Sequence, residues 1–238
     1  MKPIQLFDPP SSTYTSVLFE QSTRDALIID PVDEQIERDL ATLREYGLKL
    51  VWTVETHAHA DHITSAGKLA ELTGAKTAAP TGCGIGTAGV QLQDADTLSF
   101  GGESLRALHT PGHTSNHLCF ALAQEKALFT GDHVMGWSTT VVAPPDGDMA
   151  AYMASLKLLL DRDDAIYYPT HGDPVTDPQR FARGLITHRK QRENQILKLL
   201  GQAPQTIPAM VAVMYAMVDK KLHPAAGRSV LAHLIDLE

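Results

Sequence analysis

Leu50-Val51-Trp52-Thr53-Val54-Glu55-Thr56-His57-Ala58-His59-Ala60-Asp61-His62 is an apolar run that passes without a break into a cluster of metal-ligating side chains. The first six residues, rich in β-branched and aromatic types, read as a buried strand. In an extended loop after it, His57 and His59 project to the same side and can share one metal ion. Asp61 and His62, expected at the start of the next helix, lie one turn on and can hold a second. Neutral imidazole suits zinc, iron and manganese, and carboxylate adds a hard ligand. Three histidines and an aspartate within six residues are poorly explained as scattered surface or core histidines.

Working outward, the same strand-then-loop grammar recurs. Thr13–Phe19 and Ala26–Asp30 read as a strand pair. Asp33–Tyr46 reads as an amphipathic helix with Ile36, Leu40 and Leu43 on one face, ended by Gly47. Ile63–Leu72 reads as a helix, and Lys76–Ala79 and Ser104–His109 as strands. Leu118–Leu122, Ala127–Thr130 and Ala165–Tyr168 are further strands, with Met149–Leu160 a helix between them. Interleaved strands and helices imply a layered α/β domain over residues 1–177. From Pro178 the pattern turns helical, with Phe181–Leu200, Ile207–Val218 and Pro224–Leu237 separated by GQAPQT and DKKLHP. Residues 178–238 are therefore expected to form a helical appendage.

Three later clusters also follow strands: His109-Thr110-Pro111-Gly112-His113, Thr130-Gly131-Asp132 and Pro169-Thr170-His171-Gly172. The Pro-Gly turn before His113 can aim a side chain inward. Asp132 and His171 each sit at a strand end, where a fold can gather them with the first cluster.

Bulk properties narrow the function classes. The chain has 238 residues and a net charge of −8, which disfavours nonspecific binding to polyanions. The charge is uneven. Residues 1–113 hold 8 Lys+Arg and 15 Asp+Glu, and residues 114–238 hold 12 and 13. No apolar run reaches transmembrane length, and the start, MKPIQLFDPP, lacks a secretory pattern. Cys83 and Cys119 are few and unpatterned, which predicts a reducing, cytoplasmic setting and no cysteine metal site.

Taken together, HxHxDH at His57, His59, Asp61 and His62, then His113, Asp132 and His171, resemble the ligand pattern of the metallo-β-lactamase superfamily. The resemblance implies an αββα sandwich with a two-metal site at one edge of its sheets. It places His57, His59 and His113 on one ion, Asp61, His62 and His171 on the other, and Asp132 between them. Asp30 matches an acidic position that supports the ligands from behind. The implied cofactor is two divalent ions, zinc foremost, with iron or manganese as alternatives. The implied chemistry is hydrolysis by an activated water, Asp61 and Asp132 being the carboxylates at the reacting centre.

Two branches of the superfamily are represented. FDPPSSTYT, IIDPVDEQIERDL and ETHAHADHITSAGKL resemble persulfide dioxygenases, which are similar to glyoxalase II. From about His113, the segments HTSNH, FTGDHVMGWSTTV, YYPTHGDPV and LHPAAGRSVLAHL resemble lactamase-β-like hydrolases, some of them endoribonucleases. HTPGHT is common to both, as at the seam of a mosaic or chimeric chain. The dioxygenases follow their bridging aspartate with a Cys-Gly-Arg-Thr-Asp-like segment; here His133–Thr140 stands instead. The leading expectation is a hydrolase of small esters, thioesters, lactones or lactams. The alternatives are a metal-dependent ribonuclease or phosphodiesterase and a mononuclear iron persulfide dioxygenase. His117, Trp137, Ser138 and Thr139 are expected to wall the substrate pocket.

The appendage resembles a winged-helix unit, with the sequence ending at Glu238 before any β-wing. Arg180, Arg183, Arg189, Lys190, Arg192 and Lys198 give its first helix a basic face. That face is expected to be solvated rather than dedicated to nucleic acid, leaving a small molecule as the favoured partner.

Overall fold

The computed structural model describes residues 2–238. A six-stranded sheet runs in the order β1 (Ile4–Asp8), β2 (Thr13–Phe19), β3 (Asp25–Ile29), β4 (Lys49–Val54), β5 (Lys76–Pro80), β6 (Val90–Leu92). A five-stranded sheet runs β11 (Ile166–Pro169), β10 (Ala127–Gly131), β9 (Leu118–Leu122), β8 (Glu103–His109), β7 (Thr97–Phe100). In the first sheet β1, β2 and β3 are antiparallel and β3 to β6 parallel; in the second only β10 and β11 are parallel.

The period-2 alternation of a strand explains the layering. On β3, Leu27 and Ile29 face the second sheet, while Ala26 and Ile28 face α1 (Ile36–Glu45) and α2 (Ala66–Thr73). On β9, Leu118, Phe120 and Leu122 meet the first sheet, while Cys119 and Ala121 meet α3 (Met149–Leu160). Both faces of each central strand are covered, so these strands read as continuous apolar runs. The result is the expected αββα sandwich. Cys119 is buried and Cys83 half-buried, both as free thiols.

Three strands lay outside the sequence reading. β1, β6 and β7 are short and sit at or beside sheet edges, where one-sided burial leaves little pattern. The helix expected from Ile63 begins only at Ala66. Thr64 bridges Val32, the Ile63 carbonyl accepts from Asp33 N–H, and Ser65 N–H donates to the Pro31 carbonyl, which pairs residues 63–65 with 31–33 and delays the helix to Ala66. Asp61 and His62 therefore lie in a loop, not on a helix.

The appendage consists of α4 (Pro178–Leu200), α5 (Ile207–Met214) and α6 (His223–Asp236). Asp177 caps α4 by accepting from Arg180 N–H, with Pro178 in the first turn. The amino-terminal half of α4 packs Phe181, Leu185 and Ile186 on the sandwich, and its other half joins Ile196 to Met210, Val211 and Val230 in a small separate core. One helix thus belongs to both bodies. The uniformly basic face needs correction. Arg189 is only 2% exposed, and Arg192 donates to the Met214 carbonyl at 2.7 Å and lies over the Tyr215 ring. Arg180, Arg183, Lys190 and Lys198 remain exposed. No described helix is long and apolar enough to cross a membrane.

Two buried histidines make the fold acid-sensitive. Burial, helped by Arg189, His188 and Arg192, lowers His233 to about 4; burial and His113 lower His133 to about 3. A folded pKa below the unfolded value of 6.5 means that the unfolded chain takes up more protons as pH falls. Stability from these groups is complete above about pH 6.5 and is lost as pH drops toward 4. At about 1.4 kcal/mol per pKa unit, His233 alone contributes on the order of 3 kcal/mol. Metal-free protein should therefore show a falling urea midpoint from pH 7 to 4.5, with a shallower fall in His233→Gln. Identical slopes for the two proteins would overturn this reading.

Candidate metal centre

The candidate ligands hang from strand ends at one edge of the sandwich. Thr56 and His57 follow β4, Asp30 follows β3, His113 follows β8, Asp132 follows β10 and His171 follows β11. The two sheets are joined at this edge by backbone bonds, Leu118 N–H to the Thr56 carbonyl and Tyr14 N–H to the Thr170 carbonyl. Gly131 is required beside Asp132. It has φ +52°, and a Cβ there would lie 2.5 Å from His117 Nε2.

All seven expected ligands converge. Donor atoms of His57, His113 and Asp132 lie within 4.8 Å of one another, as do those of His59, Asp61 and His62. Asp132 faces both ways. Its Oδ2 is 3.9 Å from His57 Nε2 and 3.6 Å from His113 Nε2, while its Oδ1 is 3.4 Å from His171 Nε2. His171 Nε2 is also 3.6 Å from Asp61 Oδ2. The His57, His59, His62 and His171 side chains are nearly buried, whereas Asp61 is 34% and His113 21% exposed. The centre therefore opens to solvent on the Asp61 and His113 side.

Three of these imidazoles, His57, His113 and His171, have one nitrogen anchored to an oxygen by a hydrogen bond, which frees the other. His113 Nδ1 lies 2.8 Å from the Val141 carbonyl and His171 Nδ1 2.9 Å from the Ser12 carbonyl. A carbonyl only accepts, so both rings carry their proton on Nδ1 and present an Nε2 lone pair inward. His57 Nδ1 pairs with Thr56 Oγ1 at 2.9 Å, and that hydroxyl donates to Asp30 at 2.9 Å. His59 is reversed. Its Nε2 faces Asp30 at 3.1 Å and Glu55 at 3.3 Å, leaving Nδ1 inward. His62 Nδ1 lies 3.3 Å from Asp61.

The chemistry of this donor set fits divalent cations. Both nitrogens of His59, His62 Nε2, Asp132 Oδ1 and, behind His59, Glu55 Oε2 are buried without a hydrogen-bond partner. Buried polar atoms are rarely left so, and converging imidazole and carboxylate atoms backed by oxygen acceptors are what such ions require.

Asp30 is the hub behind the ligands. It accepts from Thr56 N–H at 2.8 Å, Thr56 Oγ1 at 2.9 Å and Thr170 Oγ1 at 2.7 Å. Burial would raise its carboxyl, but His59, His57 and the Thr56 N–H hold it well below the usual range. Glu55, Thr56 and Thr170 escaped the sequence reading. Burial raises Glu55, which accepts from the Thr64 hydroxyl and faces His59. An acid closing an apolar strand immediately before the histidine motif was the available signal.

The expected pocket residues divide. His117 is completely buried, so it does not wall a pocket. It stacks on His57, and its Nε2 accepts from Asp132 N–H at 3.2 Å, supporting both from beneath. Burial and the surrounding histidines keep it neutral. Trp137 is 56% exposed and stacks on the His171 ring at 5.9 Å, nearly parallel. Ser138 is exposed and Thr139 partly so on the same loop.

The model of the metallo-beta-lactamase superfamily matches residues 11–82 and 85–171. The chain belongs to this superfamily. Residues 206–238 match the beta-lactamase associated winged helix domain. The mitochondrial persulfide dioxygenase of Bos taurus is 32% identical over 70% of this chain and 66% of its own length. The beta-lactamase-like protein 2 homolog of Drosophila melanogaster is 32% identical over 95% of this chain and 82% of its own, so one relative follows both halves. An atrochrysone carboxyl ACP thioesterase of Emericella nidulans is 32% identical over 67% of this chain and 51% of its own length. A metallo-beta-lactamase family protein from Thermus thermophilus has the same fold, with a TM-score of 0.78 at 21% identity over 99% of this chain and 92% of that one. The chain thus spans just under two thirds of the persulfide dioxygenase and about half of the thioesterase. The matched relatives include enzymes of this superfamily, and the chain carries groups of residues that could hold a metal ion.

Proposed function

We propose that the protein is a dinuclear metallohydrolase of small esters or thioesters, with lactones and lactams as related substrates and zinc as the favoured metal. The observation that carries this reading is the doubled donor set. His57, His59 and His113 would serve one ion and Asp61, His62 and His171 the other, with Asp132 offering an oxygen to each. Two such ions would supply Lewis acidity that activates water near neutral pH. The chain's own residues do the rest. The Nδ1 anchors hold the imidazoles in the ligating tautomer. Asp61, on the open side, would serve first as a ligand and would also orient the attacking water, with no separate protein base required. The proton that water loses would pass to the departing oxygen, sulfur or, in a lactam, nitrogen as its bond to the acyl carbon breaks. Trp137 offers an apolar wall beside His171.

The thioesterase relative supports the acyl substrate class. The persulfide dioxygenase relatives support a second reading, an iron oxygenase. A nucleic-acid substrate gains less support, because two of the six cations on α4 are committed to internal contacts.

The test is metal analysis after growth with zinc, iron and manganese together, followed by ester, thioester, lactone, lactam and phosphodiester assays. Close to two ions per chain and turnover of acyl substrates are expected. A reproducible single iron, with oxygen consumption on a persulfide and no hydrolysis, would replace this reading with the second.

A further inference from the structure

We propose that Arg189, on α4 of the appendage, is a positioning residue for His113, so that the appendage sets the geometry of one half of the metal centre. The inference rests on the two-metal reading above. Arg189 is 2% exposed, and no ion pair compensates it among the described residues. A buried cation is costly unless its donors are used. Its Nη2 donates to the Thr140 carbonyl at 2.6 Å, and its guanidinium lies 5.1 Å from the Tyr152 ring centroid. The peptide fixed in this way joins Thr140 to Val141. Those two residues hold His113. The Val141 carbonyl accepts from Nδ1–H at 2.8 Å, and Thr140 Oγ1 is 3.2 Å from the same nitrogen.

The chain of contacts runs from α4 through a buried guanidinium, one peptide and one imidazole to the face of Asp132. His113 is the most exposed of the five candidate ligand imidazoles, so it has the least packing of its own to fix its ring. Val141 is 40% exposed, so its carbonyl also depends on what grips the peptide before it. Arg189 supplies that grip from a helix anchored in both hydrophobic cores. Its neighbour Arg192, one turn further along α4, makes the analogous backbone bond to Met214 instead, away from the centre. The pair therefore separates holding the appendage together from holding His113.

The test titrates cobalt(II) into metal-free wild type, Arg189→Gln, Arg189→Lys and Arg192→Gln, following the visible absorption of each bound ion. In Arg189→Gln one of the two ions should bind roughly 10–100-fold more weakly with an altered spectrum, the other being unchanged. Arg189→Lys, which retains a cationic donor, should recover most of that affinity. Arg192→Gln should lower thermal stability yet titrate as wild type. Thr140→Val, which removes only the hydroxyl beside His113, should weaken the same ion and serves if Arg189→Gln does not fold. Wild-type titration in Arg189→Gln and Thr140→Val, or equal weakening of both ions, would overturn the proposal. If wild type binds a single ion, the two-metal reading fails, while the effect of Arg189 on an ion held by His113 is still read from the same titration.

Discussion

Asp132→Ala is expected to eliminate hydrolysis and to lower the bound metal from about two ions per chain to less than one. Asp132 is the candidate ligand that faces both groups, with Oδ2 toward His57 and His113 and Oδ1 toward His171. Its removal takes a ligand from each ion and the negative charge between them, so their repulsion is no longer offset. The loss in kcat/KM should far exceed the roughly 10–100-fold typical of partners behind the ligands. His171→Ala is the control. That imidazole lies between Asp61 and Asp132, on the side away from His57, and its loss should empty mainly one site. Elemental analysis of both variants beside wild type decides the matter. Near-native metal content in Asp132→Ala would refute the bridging role.

The second large effect concerns α4. A chain ending at Asp177 should aggregate or lose cooperative unfolding. Phe181, Leu185 and Ile186 pack with Tyr152 and Leu156 of α3 in the cluster that covers the outer side of the second sheet, Tyr167 of β11 included. At about 1.5–3 kcal/mol for each large apolar side chain, losing three of them removes much of the roughly 5–15 kcal/mol by which a domain is stable. The same cut removes Arg189 and with it the hold on Thr140. Soluble yield, near-ultraviolet circular dichroism and urea unfolding are the measurements. A soluble, cooperatively folding 1–177 would show that the sandwich is independent of the appendage.

Much of this was legible in the sequence because it is local. Strands covered on both faces, such as Leu118–Leu122, announce themselves as unbroken apolar runs, and ligand clusters immediately after them mark one edge of the sandwich. Contacts made across long separations were not legible. Arg189 meets Thr140 across 49 residues and Thr170 meets Asp30 across 140, and nothing near either residue signals the pairing. Arg189 reads as one more cation on a charged helix until the helix is seen packed. The 63–65 segment was misjudged for the same reason. Its apolar spacing suits a helix, but pairing with residues 31–33, distant in sequence, keeps it out of the helix until Ala66. Glu55 was the one local signal passed over.

The anchoring of one nitrogen on His57, His113 and His171 has a thermodynamic corollary. Freezing a histidine ring costs rotamer entropy, and for these three rings the fold has already met that cost through Val141, Ser12 and Thr56 before any ion arrives. Zinc-finger modules do the opposite, since their metal drives folding. In this chain loading and folding are expected to be separate events. A chelator should silence the protein while leaving its sandwich standing, and a returning ion should restore it at the pace of diffusion and dehydration rather than of refolding.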